Sequence, residues 1–138
     1  MITPNLVEIH DARVHVRADD TDSDEWFEFW IPLVSEMVAS WLGDSWRLYE
    51  LARDDSGEIV TNENGIPVPM RDAFGEPVIN RLVRGAALVE LADIYANREG
   101  ESRKFMEQAG NAGGAWGYSL CAGATAILQG IRKSRIAW

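Results

Sequence analysis

The clearest pattern in the chain is the spacing of apolar residues in the segment 22–43. Apolar side chains recur there at intervals of three and four: Phe27, Trp30, Ile31, Val34, Met37, Val38 and Trp41. This spacing is typical of a helix with one buried face. Asp22 or Ser23 is suited to cap its start, and Gly43 is suited to end it. Pro32 should kink the helix or remove one hydrogen bond without ending it, because the periodicity continues beyond the proline.

Weaker versions of the same pattern predict helices on both sides of this segment. Thr3-Pro4 favours the start of a short amphipathic helix that ends near Arg17. Glu76-Pro77 marks the start of a helix with a wide apolar stripe, which ends near Glu99 because Gly100 follows. Within that helix, two small residues, Gly85 and Ala86, should let another helix pack closely.

A last helix follows a possible cap at Ser119. Its apolar side consists of Leu120, Ala124, Ile127, Leu128 and Ile131. A basic end, residues 132–138, trails from it. The pattern therefore predicts a helix near the C-terminus and an extended tail after it.

Residues 44–76 have a different character. Asn62-Glu63-Asn64-Gly65 lies between two short β-prone runs, which is a hairpin signal. Pro67 and Pro69 favour an edge or an exposed position, because proline cannot donate a hydrogen bond to a sheet. We therefore predict a protruding loop or hairpin, and we see no internal repeat in the chain.

Together these elements predict a mainly α protein with one domain over residues 1–138. The expected fold is a small helical bundle with a long loop or β-hairpin arm and an extended C-terminal tail. The helical core covers about 4–43 and 77–131, the arm about 44–76, and the tail 132–138.

Charge and composition narrow the range of functions. The net charge is -9, so the chain should not hold nucleic acid by general attraction to phosphates, although it could surround DNA without gripping it. Residues 19–28 carry six carboxylates and no base, whereas the last seven residues carry three bases and no acid. No apolar run approaches the roughly 18 residues that span a bilayer, and the N-terminal residues do not resemble a secretory signal. The single cysteine, Cys121, suits a reducing cytoplasm.

The sequence gives little support to catalysis. His10 and His15 are the only histidines, and a spacing of five puts them on different helical faces, so we do not expect them to share a metal ion. The acidic run 20–24 lacks the glycine and glutamate that a calcium loop needs. The glycines at 110–117 are not followed by Lys-Ser or Lys-Thr, so no P-loop is present. We therefore predict no enzymatic activity, cofactor or metal.

The six tryptophans are more informative. Trp30 and Trp41 fall on the apolar stripe of the long helix and are expected in the core, whereas Trp26 lies at its border. Trp116 lies in a glycine-rich loop and Trp138 ends the sequence. Exposed aromatic residues near arginine are typical of protein interfaces, although Trp138 could also fold back onto its own helix.

The order of these elements resembles that of the small helical head–tail connector (adaptor) proteins of long-tailed bacteriophages. The resemblance covers most of the chain except about residues 44–75, and it depends on the order of several short motifs. The matching segments are Ile2-Thr3, Val16-Arg17, Ala18-Asp19-Asp20-Thr21-Asp22, Trp41-Leu42-Gly43, Ala86-Ala87-Leu88 through Tyr95, Ala96-Asn97-Arg98-Glu99 and Ile127-Leu128-Gln129-Gly130-Ile131-Arg132. Ala96 stands where the family usually has Glu, and Gly130 where it often has Pro.

The resemblance implies a virion protein of the neck, made in the host cytoplasm, that forms a homo-oligomeric ring beneath the portal. A dodecamer is usual in the family, and the genome passes through the channel without sequence-specific binding or contact with a membrane. The tail would bind the portal protein through Ile131, Arg132, Lys133, Arg135, Ile136 and Trp138. The arm would meet a stopper or tail protein through Ile59, Asn64, Ile66 and Val68.

A third group of residues is expected to hold helices together. Tyr95, Asn97, Arg98 and Glu99 form either a bridge between subunits or a clamp inside one subunit, and the sequence leaves both open. An alternative to the adaptor function is a cytoplasmic oligomeric regulatory or protein-binding module, which would share the acidic charge and the exposed aromatic residues.

Overall fold

The computed structural model describes residues 3–18, 24–97 and 120–132. Those residues form four α-helices and one short 3-10 turn, Ser45–Leu48. The helices are α1 (Ile9–Val16), α2 (Asp24–Leu42), α3 (Arg81–Ala96) and α4 (Ala122–Leu128). The described part of the chain is therefore mainly helical, which confirms the predicted class at that level. None of its helices is both long and apolar enough to cross a membrane.

The longest helix, α2, follows the sequence prediction closely. Its buried face consists of Phe27, Trp30, Ile31, Val34, Ser35, Val38 and Leu42. Pro32 lies inside the helix, which continues for ten residues beyond it. Gly43 ends the helix with a φ of +92°, a left-handed conformation that glycine adopts without a steric penalty. The apolar periodicity fixed this element because one face of it is buried along its whole length.

The first helix is shorter than predicted, since α1 begins at Ile9 and not at Pro4. Leu6 and Val7 are buried nevertheless, in a non-helical segment before the helix. The backbone N–H of Leu6 donates to Ser35 Oγ of α2 at 3.0 Å. That long-range hydrogen bond replaces the local helical one, so the apolar residues before Ile9 serve tertiary packing.

The third helix also begins later than predicted, at Arg81 and not near Pro77. Its cap is Asn80, whose side chain accepts hydrogen bonds from Leu82 and Val83 N–H groups. Helix α3 contacts α1, α2 and α4. Its buried residues are Val83, Ala86, Ala87, Glu90, Leu91 and Ile94, so α3 is the element around which the core is built.

The close helix contact lies at a different glycine from the one predicted. A Cβ added at Gly85 would meet nothing within 4 Å, whereas one at Gly123 of α4 would meet Val89 Cγ1 at 3.0 Å. Helix α4 therefore approaches α3 through Gly123. The predicted cap Ser119 and the predicted end of the third helix at Glu99-Gly100 lie outside the described residues.

The segment between the 3-10 turn and α3 is joined by single antiparallel bridges. They pair Tyr49 with Ile79, Leu51 with Pro69, Arg53 with Ile59, Thr61 with Pro67 and Arg71 with Pro77. No strand longer than a bridge occurs in the described residues of this segment. A β-hairpin arm is therefore not shown, and the segment is instead a set of turns with short pairings.

Candidate docking surfaces

Three turns of the same construction follow one another in the segment 53–78, and we call them turns 1, 2 and 3. Each has an Asx residue, then glycine three positions later, then valine three positions after that: Asp54, Gly57 and Val60; Asn62, Gly65 and Val68; Asp72, Gly75 and Val78. The expectation that the chain lacks an internal repeat was therefore wrong. The repeat was missed because its units are separated by eight and then ten residues and the other positions vary.

The local chemistry explains why each unit turns. In turn 3, the Asp72 side chain accepts hydrogen bonds from the N–H groups of Phe74 and Glu76 at 2.8 and 3.0 Å. Gly75 has a φ of +81° and donates its N–H to the Asp72 carbonyl. An Asx side chain bonded to the following backbone and a glycine at positive φ are standard components of tight turns. Turns 1 and 2 repeat these bonds with their own Asx and glycine residues.

The turns are tied together by two closed cycles of backbone hydrogen bonds. In the first cycle, Ala52 N–H donates to the Val68 carbonyl, Val68 N–H to Val60, and Val60 N–H to Ala52, at 2.9, 3.0 and 2.9 Å. In the second, Glu50 N–H donates to Val78, Val78 N–H to Met70, and Met70 N–H to Glu50, at 2.8, 2.9 and 2.7 Å. The segment 50–78 is therefore cross-linked at its base although it contains no long strand.

The same pairing explains where the prolines lie. The backbone groups that donate in both cycles belong to even-numbered residues, whereas Pro67, Pro69 and Pro77 are odd-numbered. A proline has no N–H and is tolerated only where none is needed. The prolines therefore fit the pairing without the loss of a hydrogen bond.

The turns expose several large hydrophobic side chains. Within the described residues, most of the large hydrophobic side chains that are exposed lie in this one segment: Ile59, Val60, Ile66, Met70 and Phe74. Phe74, at the tip of turn 3, is 89% exposed. Clustered exposed apolar side chains mark interaction surfaces more often than isolated ones do. Sequence reasoning missed Phe74, although its place between Asp72 and Gly75 in a turn could have indicated an exposed tip.

The predicted arm residues are distributed over turns 1 and 2. Ile59 and Ile66 are exposed, and Asn64 is an exposed turn residue whose N–H donates to Asn62 Oδ1 at 2.8 Å. Val68 is half-buried and belongs to the first hydrogen-bonded cycle. Three of the four residues are thus available to a partner, whereas Val68 has a structural role at the base.

A groove connects turn 2 to the helical part. It has a volume of about 530 Å³ and its walls include Pro4, Trp46, Leu48, Tyr49 and Ile66. Its lining comes from the N-terminal segment, the 3-10 turn and turn 2. The exposed edge of Ile66 is therefore continuous with an apolar depression on the body of the protein.

The start of the C-terminal tail is held against the end of α2. Arg47 Nη1 donates to the Ile131 carbonyl at 2.6 Å, and its Nε pairs with Asp44 at 3.0 Å. The guanidinium of Arg132 lies over the Trp41 ring at 4.3 Å, a cation–π distance. Trp41 is half-buried, so part of its ring is covered by the tail and not by the core. The predicted portal-binding residues Lys133, Arg135, Ile136 and Trp138 lie outside the described residues.

Of the predicted clamp residues, Tyr95 makes its contacts inside the subunit. Its ring meets Trp26 edge-on at 5.1 Å and stacks with Phe27 at 6.0 Å, which joins the end of α3 to the start of α2. Asn97 ends α3, and its side-chain amide donates to the Asp93 carbonyl at 2.8 Å. Arg98 and Glu99 lie outside the described residues, so the choice between internal clamp and intersubunit bridge stays open for them.

One buried carboxylate was not anticipated. Glu90 is fully buried in α3, and its two carboxylate oxygens accept the Cys121 N–H at 3.1 and 3.3 Å. Burial raises the pKa of the Cys121 thiol, and the charge of Glu90 acts in the same direction. Since Cys121 is the cap of α4, Glu90 serves as a side-chain acceptor for the first turn of that helix.

The described residues contain one group close enough to share a metal ion. Glu90, Asp93 and Cys121 place one ligand atom each within 4.8 Å of the others. The hydrogen bond from the Cys121 N–H accounts for the position of the Glu90 carboxylate. His10 and His15 are exposed on α1 and do not belong to this group.

The described residues thus form a mainly helical body that carries a cross-linked set of turns with five exposed hydrophobic side chains. Comparison of the chain with protein-family models, with curated proteins and with solved structures found no match.

Proposed function

We propose that this protein is a structural, non-enzymatic adaptor of the bacteriophage neck, which forms a ring beneath the portal and joins the capsid to the tail. In this proposal the turns of residues 44–76 act as a protruding arm that meets a stopper or tail protein. The C-terminal tail binds the portal, and DNA passes through the ring.

The observation that carries the proposal is the set of large hydrophobic side chains that are exposed on the three turns. Every residue from 53 to 66 is exposed, and Ile59 and Ile66 are among them. A loop that served only to connect two helices would gain nothing from exposed isoleucines, because each costs solvation free energy in the free protein. The two closed cycles of hydrogen bonds also preorganise the turns, which lowers the entropy cost of binding a partner.

The attachment of the tail supports a second contact at the other end of the chain. The contacts of Ile131 with Arg47 and of Arg132 with Trp41 fix where the tail departs from the body. A basic segment that starts from a fixed point suits docking on another protein, since its position is defined before binding. The net charge of -9 suits a channel wall that does not retain DNA.

A truncation tests the portal contact. Deletion of residues 133–138 removes four of the six predicted portal-binding residues, Lys133, Arg135, Ile136 and Trp138. It keeps Ile131 and Arg132, so the contacts to Arg47 and Trp41 remain. We expect the truncated protein to keep its far-ultraviolet circular dichroism spectrum and melting temperature and to lose binding to the portal protein of the same phage in a pull-down. A Phe29→Ala variant, which changes an exposed aromatic residue of α2, should bind as the wild type does. Undiminished binding of the truncated protein would contradict the proposed portal contact.

Electron microscopy separates the adaptor from a cytoplasmic regulatory module. The adaptor function requires rings with a channel wide enough for duplex DNA, in negative stain of the protein alone or bound to the portal. Small closed oligomers without a channel, together with no affinity for the portal, would favour the regulatory module.

A further inference from the structure

Helix α3 begins with a cationic patch, Arg81, Leu82 and Arg84. Both arginines are exposed, and Leu82 is 47% exposed. Neither guanidinium forms an ion pair with a described residue. Glu50, the carboxylate beside this patch, accepts the backbone N–H of Arg81 at 3.1 Å. The segment 81–89 contains no acidic residue, so two exposed arginines flank an exposed leucine without neutralisation along the helix.

Turn 3 is complementary to the cationic patch, because it carries an exposed aromatic side chain beside an exposed carboxylate. Its tip is Phe74, and the neighbouring carboxylate Glu76 is exposed. Asp72 is engaged with the backbone of its own turn, and Arg71 donates to the Gly75 carbonyl at 2.8 Å. The segment 53–77 holds six carboxylates and two arginines, and two of those carboxylates, Asp72 and Glu76, belong to turn 3. An aromatic tip beside a carboxylate is complementary to an exposed leucine between two arginines, because opposite charges attract and the apolar side chains can pack together.

An extended segment separates the two surfaces along the chain. They lie at opposite ends of the segment 76–80, which is extended because Pro77 pairs with Arg71 and Ile79 pairs with Tyr49. Turn 3 leaves this segment at one end and α3 leaves it at the other.

We propose that a second copy of this chain occupies the cationic patch with its turn 3. Phe74 packs on Leu82 of the neighbouring copy, and Glu76 pairs with Arg81 or Arg84. Two different surfaces meet in this contact, so it is head-to-tail, and a head-to-tail contact repeated around an axis closes into a ring. The inference rests on the proposed function for the ring, and it assigns turn 3 to the neighbouring subunit while turns 1 and 2 remain free for the distal partner.

A mixing experiment tests the contact. The tip variant carries Phe74→Ala and Glu76→Lys, and the patch variant carries Arg81→Glu and Arg84→Glu. All four positions are exposed, and glutamate suits the first turn of a helix, so both variants should keep the circular dichroism spectrum of the wild type. Native mass spectrometry over a concentration series measures their association.

Wild-type protein is expected to form dimers and larger species, whereas each variant alone associates at least about 30-fold more weakly, as expected for loss of a central aromatic contact. Mixed together, the two variants should form a 1:1 heterodimer that does not grow, because each retains one intact surface. Two controls should associate as the wild type does: Phe29→Ala, and Glu58→Lys, which changes the position of turn 1 that corresponds to Glu76.

Three results would overturn the inference: a monomeric wild type throughout the series, unweakened association of either variant, or a mixture that stays monomeric. The test is independent of the portal. A wild-type protein that associates head-to-tail but does not bind the portal would reject the proposed function. A wild-type protein that binds the portal but does not associate through turn 3 and the cationic patch would reject only the inference.

Discussion

The bond between Ser35 and Leu6 offers a sharp test of how the N-terminal segment is held. Ser35 is 1% exposed, and its Oγ accepts the Leu6 N–H at 3.0 Å and donates to the Ile31 carbonyl at 2.7 Å. Ser35→Ala removes the acceptor and leaves the Leu6 N–H buried without a partner. An unsatisfied buried donor costs about 1–3 kcal/mol.

Two smaller effects modify that magnitude. Alanine has the higher helix propensity, which offsets about 0.5 kcal/mol of the destabilisation. The substitution also removes the hydrogen bond that Ser35 Oγ donates to the Ile31 carbonyl, which adds a smaller loss of stability. We expect a net destabilisation of about 1–2 kcal/mol, which for a domain of this size lowers the melting temperature by roughly 3–8 °C. Urea denaturation measures the free energy of unfolding, and hydrogen exchange of the Leu6 amide reports the bond directly.

The exchange measurement makes the prediction specific. The Leu6 amide should be protected in the wild type and exchange much faster in Ser35→Ala, while amides of α3 change only with global stability. Ser45→Ala, at an exposed serine, should stay within about 0.5 kcal/mol of the wild type. Unchanged protection of Leu6 together with an unchanged melting temperature would refute the reasoning, because it would mean that this N–H has another acceptor.

The structure also predicts the outcome of four other substitutions. Gly75→Ala should lower the free energy of unfolding by about 1 kcal/mol, because φ is +81°, although the added Cβ meets nothing within 4 Å. Gly85→Ala, in open space on α3, should raise it by a similar amount. Urea denaturation measures both changes. Arg47→Met should reduce stability by about 1–2 kcal/mol, because it removes the hydrogen bond to the Ile131 carbonyl and the ion pair with Asp44. An unchanged melting temperature in thermal denaturation would argue against this attachment of the tail. The pKa of Cys121 is raised above its ordinary value of 9.0 by burial and then by Glu90. Folding therefore favours the protonated thiol, and the resulting stability is present below about pH 9 and lost as pH rises through the folded pKa. Cys121→Ala should lose less stability than the wild type as pH rises above about 9, and parallel losses in urea denaturation would contradict this.

The sequence determined the elements whose signals are local. The three- and four-residue spacing of apolar positions established α2 through Pro32, and Gly43 marked its end. The turn at Asn62–Gly65 followed in the same way from a short motif. Such features depend on residues a few positions apart, so they can be read without knowing what the segment contacts.

Tertiary structure decided the features that depend on partners distant in the chain. Helix α3 starts at Arg81 and not at Pro77, because Pro77 pairs with Arg71 and the Val78 N–H donates to the Met70 carbonyl. The Val78 carbonyl also accepts from Glu50. Arg47 and Ile131 are 84 residues apart in sequence, yet their hydrogen bond fixes the start of the tail. A hydrogen bond between distant segments depends on their register and approach, which periodicity does not encode. The amino-acid pattern by itself therefore determined that the helices and the turn form, whereas the starts of α1 and α3 and the attachment of the tail depended on how the segments pack together.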